Sequence, residues 1–366
     1  MGGLGVSLSL LGGGTFTRST EGSYLTGAPT DGSSAFLAWA GADVRRVENR
    51  GDGLGPMLLM EGSRTNYVLQ NRNFSTYWSP DAGVYTAGQP SPDGIAAGYR
   101  QQVPSTKLGD YQLTVGMPTT GYHSVSQWIR SYSGTVTGRF SAWEASGTAN
   151  LGMTGSIDTT FRRWDMQYAA LSQMWIAPSS GRALNSGAIP AGAADQIADL
   201  IQIEAAAFPS SAIRTTAATV TRAADALSYA AGQYPASFCD QILSFTFAPD
   251  CSSAELVAAA GQFCPIWFGT GSANGIFISN SLAVSVWLSN SQKIVSSAIS
   301  WSRGQPITFT VRPSAGMLII GGATTGNGIY SGTPFTWSPS DALWIGSRNT
   351  GADACFGRFS PTIVGV

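Results

Sequence analysis

The sequence predicts an all-β chain: two β-sandwich or jelly-roll domains preceded by a β-rich N-terminal arm. Three observations carry this. Short alternating or wholly apolar runs recur along the chain, bounded by Gly, Pro, Asn, Asp and Ser, the pattern of strands joined by tight turns. Helical periodicity is scarce. The 366 residues, 43% of them hydrophobic, exceed what one domain of ordinary size uses.

The elements follow in order. Residues 1–55 form the arm, in which "GVSLSLL" (Gly5–Leu11) alternates like a strand whose partner lies in this chain or in a neighbouring protein. Residues 56–230 form the first domain. In His123–Ser131, Val125, Gln127 and Ile129 alternate with Ser124, Ser126, Trp128 and Arg130. Both faces carry bulk, which predicts a central strand packed on two sides. Gly138–Ala145, Phe161–Ala169 and Ala198–Ala206 are further strands at sandwich spacing. A break falls at Ala230–Ala236, and strands restart over residues 237–366, ending in "SPTIVGV". One short helix is expected in Ser252–Phe263, with Ser252 or Ser253 as N-cap and Glu255 in the first turn.

Composition narrows the partners. Charged residues make up 11% of the chain, against about 25% in typical domains. Either partner subunits cover much of the surface, since interface cores are depleted of charge, or hydroxyls and backbone solvate it. Lys107 and Lys293 are the only lysines; the remaining basic residues are arginines, which suit interfaces. A net charge of −1 argues against broad attraction to nucleic acid. No apolar run approaches the roughly 18 residues of a membrane span. Met1–Gly14 lacks the basic start of a secretory leader, and Val6 stands where a myristoylation signal needs Ser or Thr. Cys239, Cys251, Cys264 and Cys355 contain no C-x-x-C and the chain has one histidine, so no metal centre is expected. Disulfides and free thiols both remain open.

Three ordered blocks carry a family resemblance. The first is Phe16-Thr-Arg-Ser-Thr20 with Tyr24. The second is Glu61-Gly-Ser-Arg-Thr-Asn66 followed by Phe74 and Trp78. The third is Pro209–Thr216 followed by Thr221-Arg-Ala-Ala-Asp225. Together they resemble bacteriophage tail, fibre and head-appendage proteins with a carbohydrate-binding-like sandwich. Residues 237–366, with "LWIG" (Leu343–Gly346) and Phe356-Gly-Arg-Phe359, loosely resemble laminin-G or concanavalin-like jelly rolls. The resemblance implies a virion protein assembled in the bacterial cytoplasm. Its partners would be other virion proteins, copies of itself (a trimer first) and host surface polysaccharide. It also implies that the arm attaches to the particle while residues 237–366 fold independently and face outward. Glu61, Arg64, Asn66, Glu204, Arg222 and Asp225 are expected to be structural. Arg64 should be at least partly buried on a carboxylate or backbone carbonyls, and Arg64 or Arg222 could neutralise Glu204.

No catalytic residue is expected. The acids form no telling pair of the kind glycoside hydrolysis needs. His123 has no nucleophile elbow nearby, and Gly321-Gly322 and Gly326-x-Gly328 lack the Lys-Ser/Thr of a phosphate loop. No cofactor is implied. Asp31 and Asp93 stand before glycines, as in calcium loops and as in ordinary turns. Aromatic residues are the stronger signal, because Tyr and Trp offer sugars a flat apolar face beside polar groups. Trp301, Tyr330, Trp337, Tyr77 and Trp78, with Tyr85, lie near predicted turns and are the glycan-stacking candidates; subunit contact is their competing role. Trp128, Trp143 and Trp287 are assigned to the core. Two rivals stand beside a displayed binding surface: a purely structural decoration or adaptor protein, and a polysaccharide depolymerase.

Overall fold

The computed structural model describes the chain except residues 1–5, 11–13, 19, 32, 73, 75–76, 145–149, 170, 182–190, 270, 272, 349–352, 361 and 366. The protein is all-β, with one short α-helix and two 3-10 turns among the described residues. Its strands build a large two-sheet jelly roll and a sandwich of two five-stranded sheets.

The jelly roll draws on both ends of the chain. Its nine-stranded sheet runs Gly328–Ser331, Met317–Gly321, Ile307–Arg312, Leu243–Pro249, Gly357–Phe359, Met57–Met60, Arg46–Glu48, with Val6–Ser9 and Thr362–Gly365 attached beside Leu243–Pro249. Its seven-stranded sheet begins with Thr15–Thr17, Ala226–Tyr229 and Leu343–Ile345. Between the sheets lie Leu58, Met60, Leu227, Tyr229, Phe247, Ile266, Phe309 and Phe359, with Phe247 and Phe359 stacked at 4.7 Å between ring centroids.

The strand pairing cuts across the boundaries read from the sequence. Residues 1–55 make no separate arm: Val6–Ser9 pairs antiparallel with Thr362–Gly365, joining the two ends of the chain, and Leu8 faces Ile363. Gly5 and Leu11 of the predicted run lie outside the described residues. Met57–Met60 pairs with Gly357–Phe359. The physical reason is that an alternating strand needs both a hydrogen-bonding neighbour and a core, and the jelly roll supplies both. Residues 67–219 are therefore an insertion in the jelly roll.

The inserted sandwich has sheet orders Arg162–Ala169, Tyr122–Ser131, Ala194–Glu204, Gly98–Val103, Val84–Gln89 and Asn150–Ile157, Val136–Glu144, Gln173–Ala177, Gly109–Val115, Ser79–Asp81. Strand Tyr122–Ser131 is central and buried from His123 to Ser131. One side faces the sandwich core of Val125, Phe140, Met174, Ile176 and Ile203. The other side meets the hairpin Gly22–Leu25/Leu37–Ala40 and the turn that closes it, where Phe36 packs edge-on to Trp128 at 5.3 Å. The two-sided packing expected from its composition is what the strand has.

The helix is shorter than expected. It covers Ser253–Ala258, and Phe263, expected at its end, begins strand Phe263–Phe268. Ser252 is the N-cap in a reciprocal capping box with Glu255. Ser252→Ala is expected to cost about 1 kcal/mol, read as a lower urea midpoint at unchanged slope.

Candidate functional site

The three family blocks meet in one buried ionic junction. The chain leaves the jelly roll along Arg64–Asn66 and returns along Val220–Arg222, and these strands pair antiparallel, Asn66 opposite Val220. The Thr65 and Thr221 hydroxyls lie 2.7 Å apart. Behind this ladder the Glu61 carboxylate accepts from Arg46 Nη1 at 2.5 Å, from Ser211 N at 2.7 Å and from Ser211 Oγ at 2.6 Å, and lies 2.9 Å from Arg222 Nη1. Asp225 pairs with Arg46 and with Arg18 Nη1 (3.3 Å), and accepts from Glu61 N at 2.9 Å. All five side chains are buried. Three arginines against two carboxylates leave one positive charge in excess. Backbone carbonyls receive further donors, Ala40 and Gly41 from Arg18, Ser23 from Arg46 and Gly62 from Arg222, while Nε of Arg46 and of Arg222 finds no acceptor among the described residues. Burial pushes the Glu61 pKa up, but Arg222, Arg46 and Ser211 outweigh it and hold the carboxyl well below the usual range.

The other motif residues differ in detail. Asn66 saturates its amide, donating to the Ile201 and Ile213 carbonyls and accepting from Val68 N and Ile203 N, all at 3.0–3.3 Å. It ties the inserted sandwich to the junction. Glu204 pairs with neither Arg64 nor Arg222; Ser210, through its backbone N–H and hydroxyl, holds the carboxylate. Among the described residues Arg64 reaches no carboxylate within ion-pair distance. Its guanidinium lies 3.8 Å over the Phe356 ring, and its one acceptor among the described residues is the Ser63 carbonyl at 3.3 Å.

Half of the six expected glycan stackers are core residues. Trp301, Trp337 and Trp78 are buried, each with its indole N–H on a backbone carbonyl: Cys251, Trp287 and Gln70 respectively. Tyr330 is half-buried, with its hydroxyl bonded to Ser297 and Gly326. Trp301 and Trp337 lie in the loops the sequence marks, and those loops fold the indoles back onto the jelly-roll core. Tyr77 alone is open, at 40% exposure, just before strand Ser79–Asp81.

A half-exposed aromatic row lies instead on the outer face of the sandwich. On Val136–Glu144, Phe140 and Ala142 are buried and Trp143 is half-exposed; on Gln173–Ala177, Met174 and Ile176 point inward and Trp175 outward; on Gly109–Val115, Tyr111, Leu113 and Val115 point outward. Register places Trp143 directly opposite Trp175, and Trp175 opposite Leu113. The indoles stack near-parallel, 18° apart with centroids at 6.4 Å, and Tyr111 meets Trp175 edge-on at 5.2 Å. Of these three, the sequence reading named Trp143 alone, and as core. The period-2 alternation around Phe140, Met174 and Ile176 was the signal that puts all three outside.

His123 is buried with Nδ1 accepting from Leu171 N, and burial lowers its pKa. A cleft of about 230 Å³ between sandwich and jelly roll is lined by three carboxylates, Glu48, Asp165 and Asp250. Each is ion-paired: Arg50 binds Glu48 and Asp250 at 2.6 Å, and Arg303 binds Asp165 at 2.9 Å. Burial raises the Glu48 pKa against the pull of Arg50, yet its two oxygens are occupied by Leu25 N and Arg50 Nε. Asp93, a calcium candidate by its turn, is bound by Arg72, Arg214 and the Trp39 indole; Arg72 first, then Trp39 and the Ile95 N–H, hold its pKa at about 2 against burial. Asp31 caps its own turn through Ser33 N. No group of three or more metal-ligating side chains occurs among the described residues, and all four cysteines are free and buried.

No family model matches the chain, and no curated protein matches its sequence. Among solved structures it is similar to the N-terminal CBM22-1–CBM22-2 tandem domain of Xyn10C from Paenibacillus barcinonensis, at 11% identity and a TM-score of 0.27, covering 80% of this chain and 95% of that one. It is also similar to domains LG4-5 of the mouse laminin alpha1 chain, at 9% identity and a TM-score of 0.24, covering 84% and 89%.

Proposed function

We propose that this is a non-enzymatic binding protein of a phage or phage-like particle, whose inserted sandwich presents the Tyr111–Trp175–Trp143 row to a surface glycan. One observation carries the binding assignment. Strands that bury an apolar inner face ordinarily turn polar residues outward, and here the outward positions hold two stacked indoles and a phenol. Such rings receive the apolar faces of sugars while the sheet edge stays free to hydrogen-bond. The particle assignment rests on the three sequence blocks, which support one another by meeting at a single junction. The charge-poor, arginine-biased composition fits self-association, a trimer first.

An array of bacterial capsule and lipopolysaccharide glycans, read with the purified chain, tests the site. Trp143→Ala and Trp175→Ala are each expected to weaken binding about tenfold, the equivalent of about 1.4 kcal/mol per ring. The double variant should lose binding while its melting temperature stays within a few degrees. No bound glycan, or a double variant with an unchanged profile, removes the assignment. Incubating the same glycans with the protein should release no reducing ends. Mass spectrometry of purified particles tests the location, and light scattering the oligomer.

A further inference from the structure

A second cleft, of about 290 Å³, opens where the inserted sandwich meets the jelly roll, away from the aromatic row. Its walls are Ala206 and Phe208 on one side and Leu256, Phe263 and Phe356 on the other, and its one charged lining residue is Arg64. The Arg64 guanidinium is held by its faces: Phe356 at 3.8 Å and Phe208 at 5.4 Å. Its edges are almost unused. Among the described residues Nε has no acceptor, a feature it shares with Nε of Arg46 and Arg222, and the Ser63 carbonyl takes one weak bond at Nη1. The arginines of the ionic junction, by contrast, are matched with carboxylates. A stacked guanidinium with a free edge is the geometry that receives a carboxylate through two parallel hydrogen bonds.

We infer that this cleft binds a small carboxylate joined to a compact ring, with the acid on the edge of Arg64 and the ring between Phe208, Leu256 and Phe263. The chemistry complements the walls: one cation, no lining anion, the neutral polar groups of Thr120, Tyr122 and Gln262, and apolar surface elsewhere. The size admits a single ring. A uronic acid of a glycan and an aromatic acid both satisfy it. The site is independent of the aromatic row, and neither needs the other.

Calorimetric titration of the full chain with glucuronate and with benzoate separates the two sources; glucose and benzyl alcohol are the uncharged controls. At least one acid is expected to bind with a Kd on the order of 1 mM, and its control not to bind. Arg64→Met should weaken that binding at least tenfold. Ala206→Phe, which fills the cleft and leaves Arg64 in place, should abolish it, and keeps the test decisive should the Arg64 variant fail to fold. Binding by glucuronate alone assigns a sugar acid, by benzoate alone an aromatic acid, by both a carboxylate site indifferent to the ring. Binding by neither acid, equal binding by the controls, or retained affinity in Ala206→Phe overturns the inference. None of these results bears on Trp143 and Trp175, so the two sites stand or fall separately.

Discussion

Asp225→Ala is expected to destabilise the protein by about 3–5 kcal/mol, the range for removing one partner of a buried ion pair. On the scale of domains of this size that is about 10 °C of melting temperature. Asp225 serves two arginines and the Glu61 backbone N–H. Without it Arg46 retains Glu61, but Arg18 is left with carbonyls, and the buried excess rises from one positive charge to two. Asp225→Asn keeps the shape and should recover part of the loss through the Glu61 N–H bond. Both units should weaken together, because Arg18 and Asp225 flank strands of the jelly roll while Ser211 belongs to the insertion. The same junction fixes an acid limit. The folded Glu61 pKa lies below its unfolded value of about 4.3, so its contribution is fully present above that value and is lost as pH falls towards the folded one. Urea unfolding at neutral pH and near pH 3 measures both effects. A change under 1 kcal/mol in Asp225→Ala would remove the junction from the account of stability.

The fold class was legible because period-2 patterning survives burial: Val125, Phe140, Met174 and Ile203 alternate into the core as written. The junction was legible as three recurring blocks, but not as chemistry. Nothing local in Glu61-Gly-Ser-Arg-Thr-Asn66 says that Glu61 meets Arg46, fifteen residues upstream, or that Arg64 turns to a phenylalanine nearly three hundred residues away. Glu204 shows the same limit. Its apolar neighbours marked it as buried and left its partner open, and the loop bearing Ser210, which holds it, follows its strand by six residues. The burial of Trp301 and Trp337 was hidden for a different reason. Proximity to a turn suggested exposure for Trp301 and Trp337, yet both lie in loops that fold the indole back onto the core, a packing no local pattern announces. Trp143 and Trp175 were decidable by parity. Domain organisation was the least legible feature, because sheet neighbours such as Val6–Ser9 and Thr362–Gly365 lie at opposite ends of the chain.

Residues 237–366 expressed alone are expected not to fold, although their strands look sufficient in sequence. Three of those strands would lose a neighbour: Gly357–Phe359 loses Met57–Met60, Thr362–Gly365 loses Val6–Ser9, and Leu343–Ile345 loses Ala226–Tyr229. Unpaired edges of that kind favour aggregation. The core would lose Leu8, Leu10, Phe16, Leu58, Met60, Leu227 and Tyr229. At about 1.5–3 kcal/mol for each large apolar side chain, that matches or exceeds the roughly 5–15 kcal/mol by which domains are stable. A different cut should succeed. Asn66 and Val220 are strand partners, so joining them through a two-residue Asn-Gly turn removes residues 67–219 without opening a sheet edge of the jelly roll. The shortened chain also keeps those seven core residues and Tyr234, losing Ala207 and Phe208 from that cluster. It is expected to give a cooperative thermal transition and dispersed amide resonances; the 237–366 fragment should give neither. A soluble, cooperatively folding 237–366 fragment would show that the N-terminal strands decorate the jelly roll rather than complete it.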